Sequence, residues 1–156
     1  MKVNSETEKD QQILLLAIAI ERHSARMYQD WAHRFCTYDG GMSAILEALG
    51  KEELGHEREL MDLYVQLTGK DVPEPLPEPM ELQGVVRGLQ SIQDHFFVVD
   101  PGMAETILES ALRIERFTYE FYIQFQSKVE DRQVAALIRR LVEFEGEHVR
   151  IFLERV

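Results

Sequence analysis

The sequence predicts an all-α protein, a four-helix bundle with one long crossover between its second and third helices. Three observations carry this: four stretches of helical apolar periodicity, connections that run short, long, short, and one acidic break in the apolar stripe of each stretch. With 156 residues, 45% of them hydrophobic, the chain can bury one core and is expected to form a single domain spanning 1–156.

The first helix is expected over about 6–36, because Ser5 with Glu8 makes a capping box and no Gly or Pro interrupts the periodicity before Cys36. Asp39, Gly40 and Gly41 then form a short turn into a second helix over about 42–68, stopped by Gly69 and Pro73. So short a turn makes the two antiparallel neighbours. The crossover, 69–101, begins with four prolines by residue 79 and favours an extended path, with a brief helical piece expected at about Val85–Phe97. Asp100 and Pro101 are a cap and first helical residue for a third helix over about 102–129, and Asp131 caps a fourth over about 132–156. A helix of about 26 residues is roughly 40 Å long, which a crossover of more than about 30 residues can span.

Composition excludes several classes of function. The formal charge is −11 and the Lys and Arg residues form no basic stripe, which argues against nucleic acid as a partner. Cys36 is the only cysteine, so neither an intrachain disulfide nor a cysteine-rich zinc or iron–sulfur site can form, and a cytoplasmic setting is expected. The apolar run Ile13–Ile20 is too short to span a bilayer and ends at Glu21 and Arg22, so no membrane association is expected.

The chemistry lies in the breaks. On the second helix Ile45, Leu49, Glu53, His56, Leu60, Leu63 and Leu67 share one face, and the fourth repeats this with Val134, Ile138, Leu141, Glu145, His148 and Phe152. The first aligns Leu14, Ile18, Glu21, Ala25 and Tyr28, and the third Leu108, Ala111, Glu115, Thr118 and Tyr122. The two halves read as a degenerate repeat: Glu, Glu-x-x-His, Glu, Glu-x-x-His. If all four stripes face one core, four carboxylates and two imidazoles meet in one layer, and burying them uncompensated would cost several kcal/mol each. Metal is the simplest compensation. An oxygen-rich set with two nitrogens suits iron or manganese, and six side chains can hold two ions if some carboxylates bridge.

The stretches LAIAIERHSARMY, KEELGHERE, ALRIERFTYEFY and EFEGEHVR resemble the di-iron domain of rubrerythrins, within the ferritin-like superfamily, over nearly the whole chain. The resemblance implies a ferritin-like bundle with two iron ions. It makes Glu21 and Glu115 terminal ligands, Glu53 and Glu145 bridging ligands, His56 and His148 ligands of one iron each, and Tyr28 and Tyr122 groups just behind the ligands. Two features depart from the family. The rubredoxin-like domain with its paired Cys-x-x-Cys motifs has no counterpart, so an external electron donor such as a rubredoxin is expected. The position of a further Glu that joins a redox-dependent iron shift in the family is Thr118.

The expected activity is therefore reduction of hydrogen peroxide or dioxygen by a di-iron oxidoreductase. The alternative is a ferroxidase that stores or delivers iron, and a third reading is a metal-stabilised interaction module. His23, His33 and His95 read as surface or linker residues, Trp31, Phe35, Phe117, Phe121 and Phe125 as packing, and Cys36 as inert. Glu52, Glu57 and Glu147 are expected to face solvent or lie just behind the ligands. The hydroxyls of Tyr28 and Tyr122 are within reach of a ligand carboxylate, though ordinary buried tyrosine fits their positions equally. Because Ile13–Ile20 is apolar nearly all round, Leu15 or Leu16 is expected in the interface of a homodimer, for which the long crossover would also permit exchange of helix pairs.

Overall fold

Four α-helices carry the described residues: α1 Ser5–Phe35, α2 Gly40–Thr68, α3 Pro101–Gln126 and α4 Arg132–Leu153, with no strand among them. The structure, a computed structural model, describes residues 5–76, 79, 80, 82 and 96–155, with backbone alone for 5–7. The capping-box side chain of Ser5 and almost all of the helical piece expected at Val85–Phe97 lie outside these residues. None of the described helices is long and apolar enough to cross a membrane.

Local capping chemistry sets the ends. Asp100 accepts from the Met103 N–H at 2.9 Å with Pro101 at the first helical positions, and Asp131 accepts from Gln133 and Val134 at 2.8 and 3.1 Å. Gly69 ends α2 at φ 69°, a left-handed conformation that glycine adopts without a Cβ clash, and its N–H reaches the Val65 carbonyl at 2.8 Å. Gly40 and Gly41 were expected in the turn but lie inside α2. Asp39 caps the helix through Met42 N–H at 3.0 Å, so the first turn starts two residues early. The third helix stops at Gln126, short of the expected 129, and the connection to α4 is held from elsewhere in the chain.

That hold is Asp10. Its carboxylate is 3% exposed and accepts from the Glu130 N–H at 3.1 and 3.2 Å and from the Asp131 N–H at 2.8 Å. A buried carboxylate on α1 thus fixes the α3–α4 turn. Asp10→Ala removes the charged acceptor of two part-buried N–H groups and is expected to cost about 2 kcal/mol. In a thermal melt that is a drop of roughly 5 °C, and an unchanged midpoint would refute the role.

Helices α1 and α2 pack closely, as do α3 and α4, whereas the two pairs touch each other less. At Gly50 the first two helices are in contact: a Cβ there would lie at ordinary van der Waals distance, 3.4 Å from the Tyr28 Cβ and 3.6 Å from the Ala25 carbonyl. Between the pairs lies a core including Leu14, Ile18, Leu46, Leu60, Ile138 and Phe152, all fully buried. Trp31, Phe35 and Phe121 join it, and Phe117 and Phe125 pack against it partly buried. The crossover contributes too, since Leu82 and Val98 are buried and the Val98 N–H bonds the Arg34 carbonyl of α1 at 2.9 Å. Ala19 is buried beside a small cleft that Leu76 also lines, whereas Leu15 and Leu16 stay half-buried.

Candidate metal centre

The apolar stripes turn their polar breaks inward at one level of the bundle. Glu21, Glu53, Glu115 and Glu145 are no more than 1% exposed, His148 is 2% and His56 6% exposed. Their donor atoms form two groups, each within 4.8 Å: Glu21, Glu53, His56 and Glu145 in one, Glu53, Glu115, Glu145 and His148 in the other. Glu53 and Glu145 belong to both. His148 Nδ1 lies 3.0 Å from Glu53, 3.4 Å from Glu145 and 3.5 Å from Glu115, while His56 Nδ1 lies 3.8 Å from Glu21 and 4.0 Å from Glu145.

These atoms are close without being aligned as hydrogen bonds. Glu21 Oε2, Glu115 Oε2, both oxygens of Glu53 and of Glu145, and Nδ1 of both histidines are buried with no hydrogen-bond partner. Buried polar atoms are almost always satisfied, and charged ones left alone are costly. Metal–oxygen and metal–nitrogen bonds of about 2.0–2.2 Å place neighbouring donors roughly 3 Å apart, close to the spacing around His148. The residues present therefore fit a pair of metal ions.

The two tyrosines define the outer oxygens. Tyr122 Oη of α3 donates to Glu21 Oε1 of α1 at 2.6 Å, and Tyr28 Oη of α1 donates to Glu115 Oε1 of α3. Each hydroxyl reaches the carboxylate on the opposite helix, so α1 and α3 are tied reciprocally. One oxygen of Glu21 and one of Glu115 are thereby occupied, and the other of each faces the cluster. Burial pushes both phenols well above their usual value, and the charges of Glu115 on Tyr28 and Glu21 on Tyr122 push them further, so both remain donors.

Electrostatics show the cost of the crowd. Burial, then repulsion from Glu21, holds the Glu53 carboxyl well above the usual range, and burial, then Glu115 and Glu53, does the same to Glu145. Burial also pushes Glu21 upward, but the proximity of Glu53 and His56 and the hydrogen bond from Tyr122 outweigh it, and the net shift is downward. Burial would lower His148, yet Glu115, Glu145, Glu52 and Glu53 together raise it. Protons and cations compete for such a cluster, since either relieves the repulsion.

Glu52 is placed by the structure directly behind a ligand-type histidine, with Oε2 2.7 Å from His148 Nε2. The sequence alone is compatible with either solvent or this position for Glu52. Its hydrogen bond to His148 lowers the carboxyl below its usual value. Thr118 is 1% exposed and donates to the Ile114 carbonyl at 2.9 Å, so it offers the cluster no carboxylate. His33 is exposed and packs edge-on against Phe96 and Phe97, and neither it nor half-buried His23 joins either donor group. His95 lies outside the described residues. Cys36 is exposed, Glu57 pairs with Arg22 at 3.4 Å, and Glu147 pairs with Arg150.

No family model matches the sequence, and no curated protein matches it. Among solved structures, a bacterioferritin of Desulfovibrio desulfuricans, described with its diiron site in different catalytic states, superposes with a TM-score of 0.76. It is 21% identical over 98% of this chain and 82% of its own. A ferritin-like diiron-carboxylate protein of Thermotoga maritima gives a TM-score of 0.70 at 17% identity, covering 93% of this chain and 92% of its own. With the four described helices in this order, this chain has the ferritin-like four-helix bundle fold.

Proposed function

We propose that the cluster is a di-iron carboxylate centre and that the protein is an oxidoreductase reducing hydrogen peroxide or dioxygen with electrons from an external donor. The observation that carries this is the distribution of unpartnered atoms: both oxygens of Glu53 and Glu145, but one oxygen each of Glu21 and Glu115 and one nitrogen of each histidine. That is the pattern of two bridging carboxylates, two terminal carboxylates and two imidazoles. Four carboxylates with two imidazoles suit iron or manganese better than copper or zinc. When bound, a ferrous pair supplies the two electrons that peroxide or dioxygen takes up.

The chain's own residues supply position and dryness. Tyr28 and Tyr122 hold the terminal carboxylates in place, and Glu52 holds His148. The apolar layers around Leu60, Ile138 and Phe152 exclude water, which strengthens every charge interaction inside. The rubrerythrin type of reaction is supported by the sequence resemblance alone.

A second reading takes ferrous iron as the substrate, oxidised at this site and passed on. Two observations favour it: the fold is shared with a bacterioferritin, and Thr118 stands where rubrerythrins place their switching carboxylate. The test is anaerobic loading with ferrous iron, then separate exposure to peroxide and to dioxygen, with and without a reduced rubredoxin. Repeated turnover that depends on the donor is expected. One turnover followed by release of ferric iron would instead establish the second reading, and no iron uptake would overturn both.

A further inference from the structure

The internal repeat breaks at one position that matters for the centre. A shift of 92 residues carries Glu53 onto Glu145 and His56 onto His148, and it carries Glu52 onto Phe144. Both residues of this last pair touch the histidine of the opposite half. Glu52 Oε2 accepts from His148 Nε2 at 2.7 Å, whereas the Phe144 ring lies 5.0 Å from the His56 ring, tilted by 56°. Among the described residues, no hydrogen bond is made to His56 Nε2.

The consequence follows from imidazole chemistry. A histidine that donates Nε2–H to a carboxylate is fixed in the tautomer that leaves the Nδ1 lone pair free, and its ring cannot turn without breaking the bond. His148 is held in this way, and its Nδ1 sits 3.0–3.5 Å from three carboxylates. His56 has an apolar ring instead of an acceptor, and its Nδ1 stands 3.8 and 4.0 Å from its carboxylate neighbours. Phe144 is also 46% exposed and lines an open groove of about 580 Å³ with Glu143 and Glu147 on its walls. His56 packs against the ring that lines this groove and is itself more exposed than His148, 6% against 2%. The acidic walls favour the approach of cations.

We propose that the two metal positions are unequal: Glu52 is a positioning residue that makes the His148 position the tight one, and the His56 position is the exchangeable one, gated by Phe144. This rests on the dinuclear reading above and goes beyond it, because the ligand sets of the two positions are otherwise alike. The exchangeable position is where metal enters and leaves.

Metal-free protein titrated anaerobically with ferrous iron, and separately with redox-inert manganese(II), should show two binding steps, and a chelator should remove one ion before the other. Glu52→Ala should weaken the tighter step about ten-fold or more and leave the weaker step nearly unchanged. Glu52→Gln, whose amide oxygen can still accept, should restore most of that loss. Phe144→Glu gives His56 the kind of partner His148 has and should draw the two steps together. Phe144→Ala should speed release of one ion only, which keeps the test open if the charged variant fails to fold. Two ions bound with equal affinity and released at one rate by the natural protein, or both steps weakened alike by Glu52→Ala, would overturn the asymmetry while leaving the dinuclear reading intact. A protein that takes up no metal would overturn that reading and this one with it.

Discussion

On the dinuclear reading, replacing Glu53 by Ala is expected to take the protein from two bound metal ions per chain to essentially none. Glu53 is fully buried, belongs to both donor groups, and has neither oxygen engaged in a hydrogen bond. Its loss removes a donor from both positions at once and leaves a cavity between the remaining charges. Glu145→Ala should act alike, for the same three reasons. Glu21→Ala and Glu115→Ala each strip a donor from only one group, so loss of a single ion is the expected first effect. Elemental analysis after anaerobic reconstitution distinguishes these outcomes, with His33→Ala, exposed and a member of neither group, as the unchanged control. A Glu53→Ala protein that kept two ions would show that this carboxylate is not shared.

The pH dependence of stability should reverse on metal loading. Glu53 and Glu145 have folded values raised above the ordinary 4.5, so their contribution is full below that pH and is lost as pH rises through the raised values. His148, raised from 6.5, contributes in the same sense: its share is full below 6.5 and is lost as pH climbs from there toward its raised value. Glu21 and Glu52 have lowered values and act oppositely, contributing above 4.5 and losing that contribution in acid. With chelator present, the melting midpoint should therefore fall as pH rises from about 5 to about 8. Saturating manganese(II) replaces protons as the compensating charge, and because metal ligands must be deprotonated, the midpoint should rise over the same interval. A metal-free protein that grew more stable with pH as steeply as the loaded one would contradict the protonation pattern.

Much of this was legible in the chain because it is local. The caps at Asp100 and Asp131, the stop at Gly69 and the Glu-x-x-His spacing all act within one or two helical turns, where side-chain reach is set by backbone geometry. At Gln126, where the third helix ends early, a distant group takes part: Asp10 from 120 residues earlier holds the following turn. The fold followed from the same local rules, since two short turns and a long crossover leave few arrangements open to four amphipathic helices.

What the sequence alone determined was which six side chains interrupt the apolar stripes, and hence that four carboxylates and two imidazoles would have to share one buried layer. What only the tertiary structure decided is which atom of each faces the layer. Tyr28 reaches Glu115 across 87 residues, Tyr122 reaches Glu21 across 101, and Glu52 reaches His148 across 96, pairings fixed by the rotation and relative height of the helices. Periodicity says which face of a helix is buried; it does not say how far one helix is turned or raised against another, and a rotation of a few tens of degrees would hand each hydroxyl a different partner.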